Sequence, residues 1–117
     1  MPTPTELRLD RAERRLEVDY DTGERFAFTA EFLRVESPSA EVQGHGPDQR
    51  QTVPGKREVG ILGLEPVGHY AVRILFDDRH DTGIYSWDYL YQLGREQGRR
   101  WRDYLAALAA QGLSRDR

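Results

Sequence analysis

The chain has 117 residues, a formal net charge of -3, 38% hydrophobic and 32% charged residues, and no cysteine. That length suits one domain with a modest core. The missing cysteine excludes a disulfide scaffold, a thiol nucleophile and any cysteine-ligated zinc or iron–sulfur site. Apolar runs are too short to span a bilayer, and the first residues lack the basic flank and apolar stretch of a leader, so a cytoplasmic protein without membrane contact is expected.

Leu7 and Leu9 alternate with polar residues, and so do Leu16, Val18 and Tyr20. Period-two alternation predicts strands with one buried face. Arg11–Arg14 turns the first strand into the second. Asp21-Thr22-Gly23 forms the next turn, and Phe26 and Phe28 continue as a third strand. Thr29 is placed to cap a short helix through Phe32 and Leu33, with Glu31 near its start. Residues 36–58 are rich in Gly, Pro and Ser and read as a long loop, a feature that is often functional in a compact domain. Val59–Phe76 is the most apolar stretch. Gly68 marks a turn between two strands there, and Pro66 implies an edge or a bulge. Asp77–Gly83 is a polar turn, Ile84 and Tyr85 extend, and Ser86 caps a helix over Asp88–Leu93 that Gly94 and Gly98 break. Trp101, Tyr104, Leu105 and Leu108 then form one apolar stripe of a last helix, closed by Gly112 and Leu113.

The pattern predicts an α+β domain over residues 1–117. A small antiparallel sheet of five or six strands carries a short helix and a C-terminal amphipathic helix. The expected core joins Leu16, Val18, Tyr20, Phe26, Phe28, Val59, Ile61, Tyr70, Val72, Ile74 and Phe76 to Trp87, Trp101, Leu105 and Leu108. A faint echo links the Asp-Thr-Gly turns at 21–23 and 81–83, each followed by a strand end, a hydroxyl cap, an acid, an aromatic residue and leucine.

Residues 1–94 hold 11 basic and 17 acidic residues, and residues 95–117 hold six arginines and three acids. An acidic body argues against general nucleic-acid affinity, which comes from neutralising phosphates. The arginines near 95–102 read as a solvated helix face. Among polar clusters, Asp77, Asp78, His80 and Asp81, alone or with His45, could hold iron or zinc or run acid–base chemistry, but they also suit a solvated turn. His45 between Gly44 and Gly46 could shuttle protons or simply order a loop. No phosphate loop, dinucleotide fingerprint or nucleophile elbow is present.

The runs Phe32–Val42, Gly44–Pro47, Gly55–Val59, Glu65–Val72 and Phe76–Trp87 together resemble the gamma-butyrobetaine hydroxylase-like N-terminal domain family in its stand-alone bacterial form, over roughly residues 5–112. In the hydroxylases this domain precedes the catalytic oxygenase domain and binds zinc through three cysteines and one histidine. The resemblance places Ser37, Ser39 and Val42 at the cysteine positions and His80 at the histidine, so the family zinc site is expected to be absent and no cofactor is expected. Similar domains also occur fused to P-loop scaffold ATPases of iron–sulfur cluster assembly. The resemblance therefore implies a non-catalytic adaptor that serves such an ATPase or an oxygenase-type enzyme. The candidate contact residues are Arg34, Gly44, His45, Gly46 and Lys56. The alternatives are a rebuilt iron or zinc site around His80 with Asp77, Asp78 and Asp81, and a small enzyme using His45 or His80 as base.

Overall fold

A computed structural model describes residues 2–44 and 50–116. Over these described residues the architecture is α+β, with six strands apportioned to two three-stranded antiparallel meanders. The first comprises β1 (Pro4–Asp10), β2 (Arg15–Tyr20) and β3 (Arg25–Thr29) and runs on into α1 (Ala30–Val35) and α2 (Ala40–Gln43). The second comprises β4 (Ile61–Val67), β5 (Ala71–Phe76) and β6 (Ile84–Ser86) and runs on into α3 (Trp87–Ala110).

Alternation sets the registers. Leu16 lies opposite Leu9 on one side and Phe28 on the other, and Val18 lies opposite Leu7 and Phe26, so one face collects the apolar side chains. Gly23 closes the β2–β3 turn at φ +88, a conformation that glycine adopts without a Cβ clash. Pro66 sits on β4, an edge strand, where a missing N–H costs no ladder bond on the outer side.

Both main helices begin as the sequence predicts. Thr29 Oγ1 accepts from Phe32 N at 3.1 Å, and Ser86 Oγ accepts from Tyr89 N at 3.0 Å. At the end of α3, Leu113 N donates to Leu108 O and Gly112 N to Ala109 O, with Gly112 at φ +65. That is the Schellman closure expected from Gly112-Leu113.

The expected break at Gly94 and Gly98 does not occur, because α3 is one helix of 24 residues. Gly94 is a point of close approach, since a Cβ there would lie 2.4 Å from the Phe26 ring of β3. Leu90 and Leu93, on the same part of α3, are fully buried, and this packing offsets the roughly 1 kcal/mol that an interior glycine costs a helix.

The main core draws Leu16, Val18 and Phe28 from the first meander, Ile61, Ile74, Phe76 and Tyr85 from the second, and Phe32, Leu33, Leu90 and Leu93 from the helices. A smaller cluster packs Tyr104 and Leu108 against Val35, with Val53 and Trp101 beside them. Two expected core residues lie outside. Tyr70, at the β4–β5 turn, is 60% exposed, and Leu105 is 39% exposed because α3 turns the Tyr104 and Leu108 side inward.

The described residues of the 36–58 segment are not a bare loop. They contain α2 and are fastened to α3 by side chains: Tyr89 Oη donates to Glu36 O, Tyr104 Oη to Val53 O and Gln111 Nε2 to Thr52 Oγ1. Among the described residues no helix is long and apolar enough to cross a membrane.

Candidate functional site

The outgoing segment of the first meander and the β5–β6 turn of the second meet at His80. Its Nε2 lies 2.8 Å from Ser37 Oγ and 3.3 Å from Ser39 Oγ, and the two hydroxyls are 3.3 Å apart. On the other side of the ring, Nδ1 faces Glu41 Oε2 at 3.3 Å without hydrogen-bond alignment. Thr82 Oγ1 holds the second Glu41 oxygen at 3.0 Å. Ser39 precedes α2 and Glu41 stands in its first turn, so this short helix places both against the ring. Gln43, also on α2, donates to Ser37 O.

Ser37, His80 and Glu41 thus have the connectivity of nucleophile, base and orienting acid. The packing denies that use. Ser37 is 0% and His80 4% exposed, and Gly83 backs onto the hydroxyl so closely that a Cβ would lie 2.6 Å from Ser37 Oγ. Neither residue lines any of the four clefts described on the surface. A substrate carbonyl has no approach to Ser37 Oγ. Burial, and then the Arg34 guanidinium, push the imidazole below its ordinary pKa; Glu41 and Asp78 pull the other way and are outweighed. Neutral His80 therefore serves as a buried hydrogen-bonding hub.

The convergence of Ser37, Ser39 and His80 shows why these positions could form one ligand set in a cysteine-bearing relative. The donor set here does not fit zinc: two hydroxyls are poor ligands, Val42 has no donor, and the serine hydroxyls occupy the Nε2 side of the ring. The described members of the alternative iron or zinc site have environments of their own. Asp77 and Asp81 are exposed, and Asp78 takes salt bridges from two cations. Among the described residues, no group of three or more His, Asp or Glu is placed to hold a metal ion.

Asp78 anchors the second polar cluster. It accepts from Arg34 Nε at 2.8 Å and Lys56 Nζ at 2.7 Å, and its other oxygen accepts from His80 N at 3.1 Å. Burial raises its pKa, but the bonds from Lys56, Arg34 and His80 N prevail and hold the carboxyl at about 2. The Arg34 side chain is only 11% exposed, so it orders this surface from beneath and does not present itself to a partner. Lys56 lines an open cleft of about 360 Å³ with Gly55, Val59, Asp78 and the exposed acids Glu58 and Asp77. Gly44, at φ 68, caps α2. His45 and Gly46 lie outside the described residues.

A third cluster escaped the sequence reading. Glu36, nearly fully buried, accepts from Arg50 at 2.9 Å and Arg100 at 2.8 Å, and Arg100 also bonds Glu96 one helical turn earlier. The spacing from Glu96 to Arg100 was legible. The pairing of residue 36 with residue 100 had no local signal.

The family model for the gamma-butyrobetaine hydroxylase-like N-terminal domain matches residues 7–91. The chain belongs to that family. The matched span runs from β1 into α3 and includes every residue of the His80 and Asp78 clusters. Two solution NMR structures are similar, at 48% and 49% identity, TM-scores of 0.85 and 0.84, and coverage of 99% and 98% of this chain against 91% and 86% of theirs. A crystal structure of a protein from Acidithiobacillus ferrooxidans ATCC 23270 is also similar. It is described as a protein of unknown function of the DUF971 family and is 41% identical, with a TM-score of 0.67 over 79% of this chain and 92% of that one. No curated protein gives a significant match.

Proposed function

We propose that the chain is a non-catalytic binding module that docks on another protein through the cleft beside Lys56 and Asp78. One observation carries the reading: Ser37 and His80 are buried and line none of the described clefts, whereas Lys56 and its partner Asp78 border an open one. The hub and the Arg34–Asp78 pair act as a rigid floor. Above it, Glu58 and Asp77 form an acidic rim around one lysine, which complements a basic patch on a partner. The family resemblance directs the search to an iron–sulfur scaffold ATPase or an oxygenase-type enzyme.

The test is direct binding of the purified chain to purified representatives of both classes. The double variant Asp77→Lys/Glu58→Lys reverses the rim and leaves the floor intact. Saturable binding that this variant weakens at least tenfold supports the reading. Binding that the variant leaves unchanged, or none to either class by a chain that melts cooperatively, removes it.

A further inference from the structure

Beyond the closure of α3 the chain turns back on itself. Residues 114–116 run beside residues 55–57: Gly55 N donates to Ser114 O at 2.9 Å, Arg57 N donates to Arg115 O at 3.1 Å, and Arg57 Nε bonds the Asp116 carboxylate. The Arg115 guanidinium makes a two-point bond to Glu31, with Nε to Oε2 at 2.8 Å and Nη2 to Oε1 at 2.7 Å. The same group lies 5.2 Å from the centre of the Trp101 ring. The Glu31 side chain is 7% exposed, and Arg115 is its hydrogen-bonding partner among the described residues.

These contacts have the form of peptide recognition: backbone pairing for an extended segment, and one side-chain subsite that reads a cation. The subsite favours arginine over lysine. A planar fork meets both carboxylate oxygens and lies against an aromatic face, whereas an ammonium offers only a point charge. The tail does not fill the groove. A cleft of about 400 Å³ opens on one side of Arg115 towards Gly98 and Trp101, and one of about 220 Å³ on the other towards Arg14 and Val59. The groove is longer than its occupant. It also requires a cation, because an unpaired carboxylate at the buried Glu31 position is costly.

We propose that this groove docks an extended, arginine-bearing segment of a partner protein, and that the chain's own tail occupies it in the free state. The tail is a placeholder held by intramolecular proximity, equivalent to a millimolar competitor. A partner segment that also fills the flanking clefts displaces it. The groove borders the Lys56 cleft at Gly55 and Val59, but Glu31 and Trp101, on which the inference rests, line no part of that cleft.

The test uses a chain shortened to end at Leu113 and a fluorescein-labelled peptide copying residues 111–116, followed by anisotropy and by the NMR shift of the Trp101 indole. The shortened chain should bind saturably, and the full chain should bind about tenfold more weakly because its tail competes. Replacing the peptide's arginine with lysine should weaken binding several-fold, and E31Q in the shortened chain should abolish it. A shortened chain that melts cooperatively yet binds nothing, or that binds an arginine-to-alanine peptide equally well, overturns the proposal and leaves the tail a structural strap. Should the shortened chain not fold, R115A in the full chain is read by the same two criteria. Concentration-dependent dimers of the full chain in sedimentation would place a second copy's tail in the groove and overturn the partner assignment.

Discussion

The two halves of the molecule follow one plan with different chemistry. Each is a three-stranded meander whose last strand enters a helix through a hydroxyl cap, Thr29 in the first and Ser86 in the second. Phe28 and Tyr85 occupy equivalent positions before those caps, as do Leu33 and Leu90 after them, and all four are fully buried. The Asp-Thr-Gly turns share letters without sharing physics. Gly23 is needed for its positive φ and has open space around it. Gly83 is not among the positive-φ glycines, and a Cβ there would strike Ser37 and Tyr85. The first half uses glycine to turn, and the second uses it to admit its neighbour.

Substitutions at equivalent positions sharpen that contrast. Phe28→Ala should cost about 3–5 kcal/mol in urea unfolding, as a large core truncation does. Tyr85→Phe keeps the volume and removes a hydroxyl bonded to Leu33 O, so a loss of about 1–3 kcal/mol is expected from the orphaned carbonyl. A neutral Tyr85→Phe would show that the two positions are plain hydrophobic equivalents. Gly83→Ala should cost up to about 3 kcal/mol by overpacking, and Gly23→Ala about 1–2 kcal/mol from left-handed strain alone. The reverse order of midpoints would break the distinction between the turns.

Within α3, the same replacement should change sign over one turn. Gly94→Ala meets Phe26 and should destabilise by about 1–2 kcal/mol after the gain in helix propensity. Gly98→Ala meets only Arg102 Nη1 at 3.6 Å and should stabilise by up to about 1 kcal/mol, read as a raised melting temperature.

The smallest expected effect is on pH dependence, at the junction of the halves. The folded pKa of His80 lies below the ordinary 6.5, so the unfolded chain takes up a proton first as pH falls. His80 therefore contributes fully above about pH 6.5, and its contribution declines as pH drops towards the folded value. Asp78, at about 2 against an ordinary 3.8, adds a second loss between those values. His80→Gln should flatten the first decline and spare the second in a series of melts across pH. An unchanged upper decline would locate that proton elsewhere.

Local chemistry made much of the fold legible. The two caps, the Gly112–Leu113 closure and the alternation of β2 all act within a few residues, so the sequence displays them whole. Gly94 misled because its cause, the Phe26 ring, lies 68 positions away in the chain. The 36–58 segment read as a loop because its anchors are tyrosine hydroxyls on α3. For the site, His80 was legible as a position of interest. The family resemblance groups Ser37 and Ser39 with it, whereas Glu41 carries no such signal, and only folding brings it to the ring. The Glu31–Arg115 pair spans 84 residues and left no sequence trace.

The tyrosine hydroxyls have a kinetic consequence. Tyr20, Tyr85, Tyr89 and Tyr104 donate to the carbonyls of Trp87, Leu33, Glu36 and Val53, across separations of 67, 52, 53 and 51 residues. The meanders close through neighbouring strands, so each can form early at small entropic cost, whereas these four bonds close long loops and belong after the rate-limiting step. Tyrosine-to-phenylalanine changes at these latches should accelerate unfolding and leave the refolding rate nearly unchanged. These four phenols then lengthen the lifetime of the assembled molecule while playing little part in how quickly it assembles.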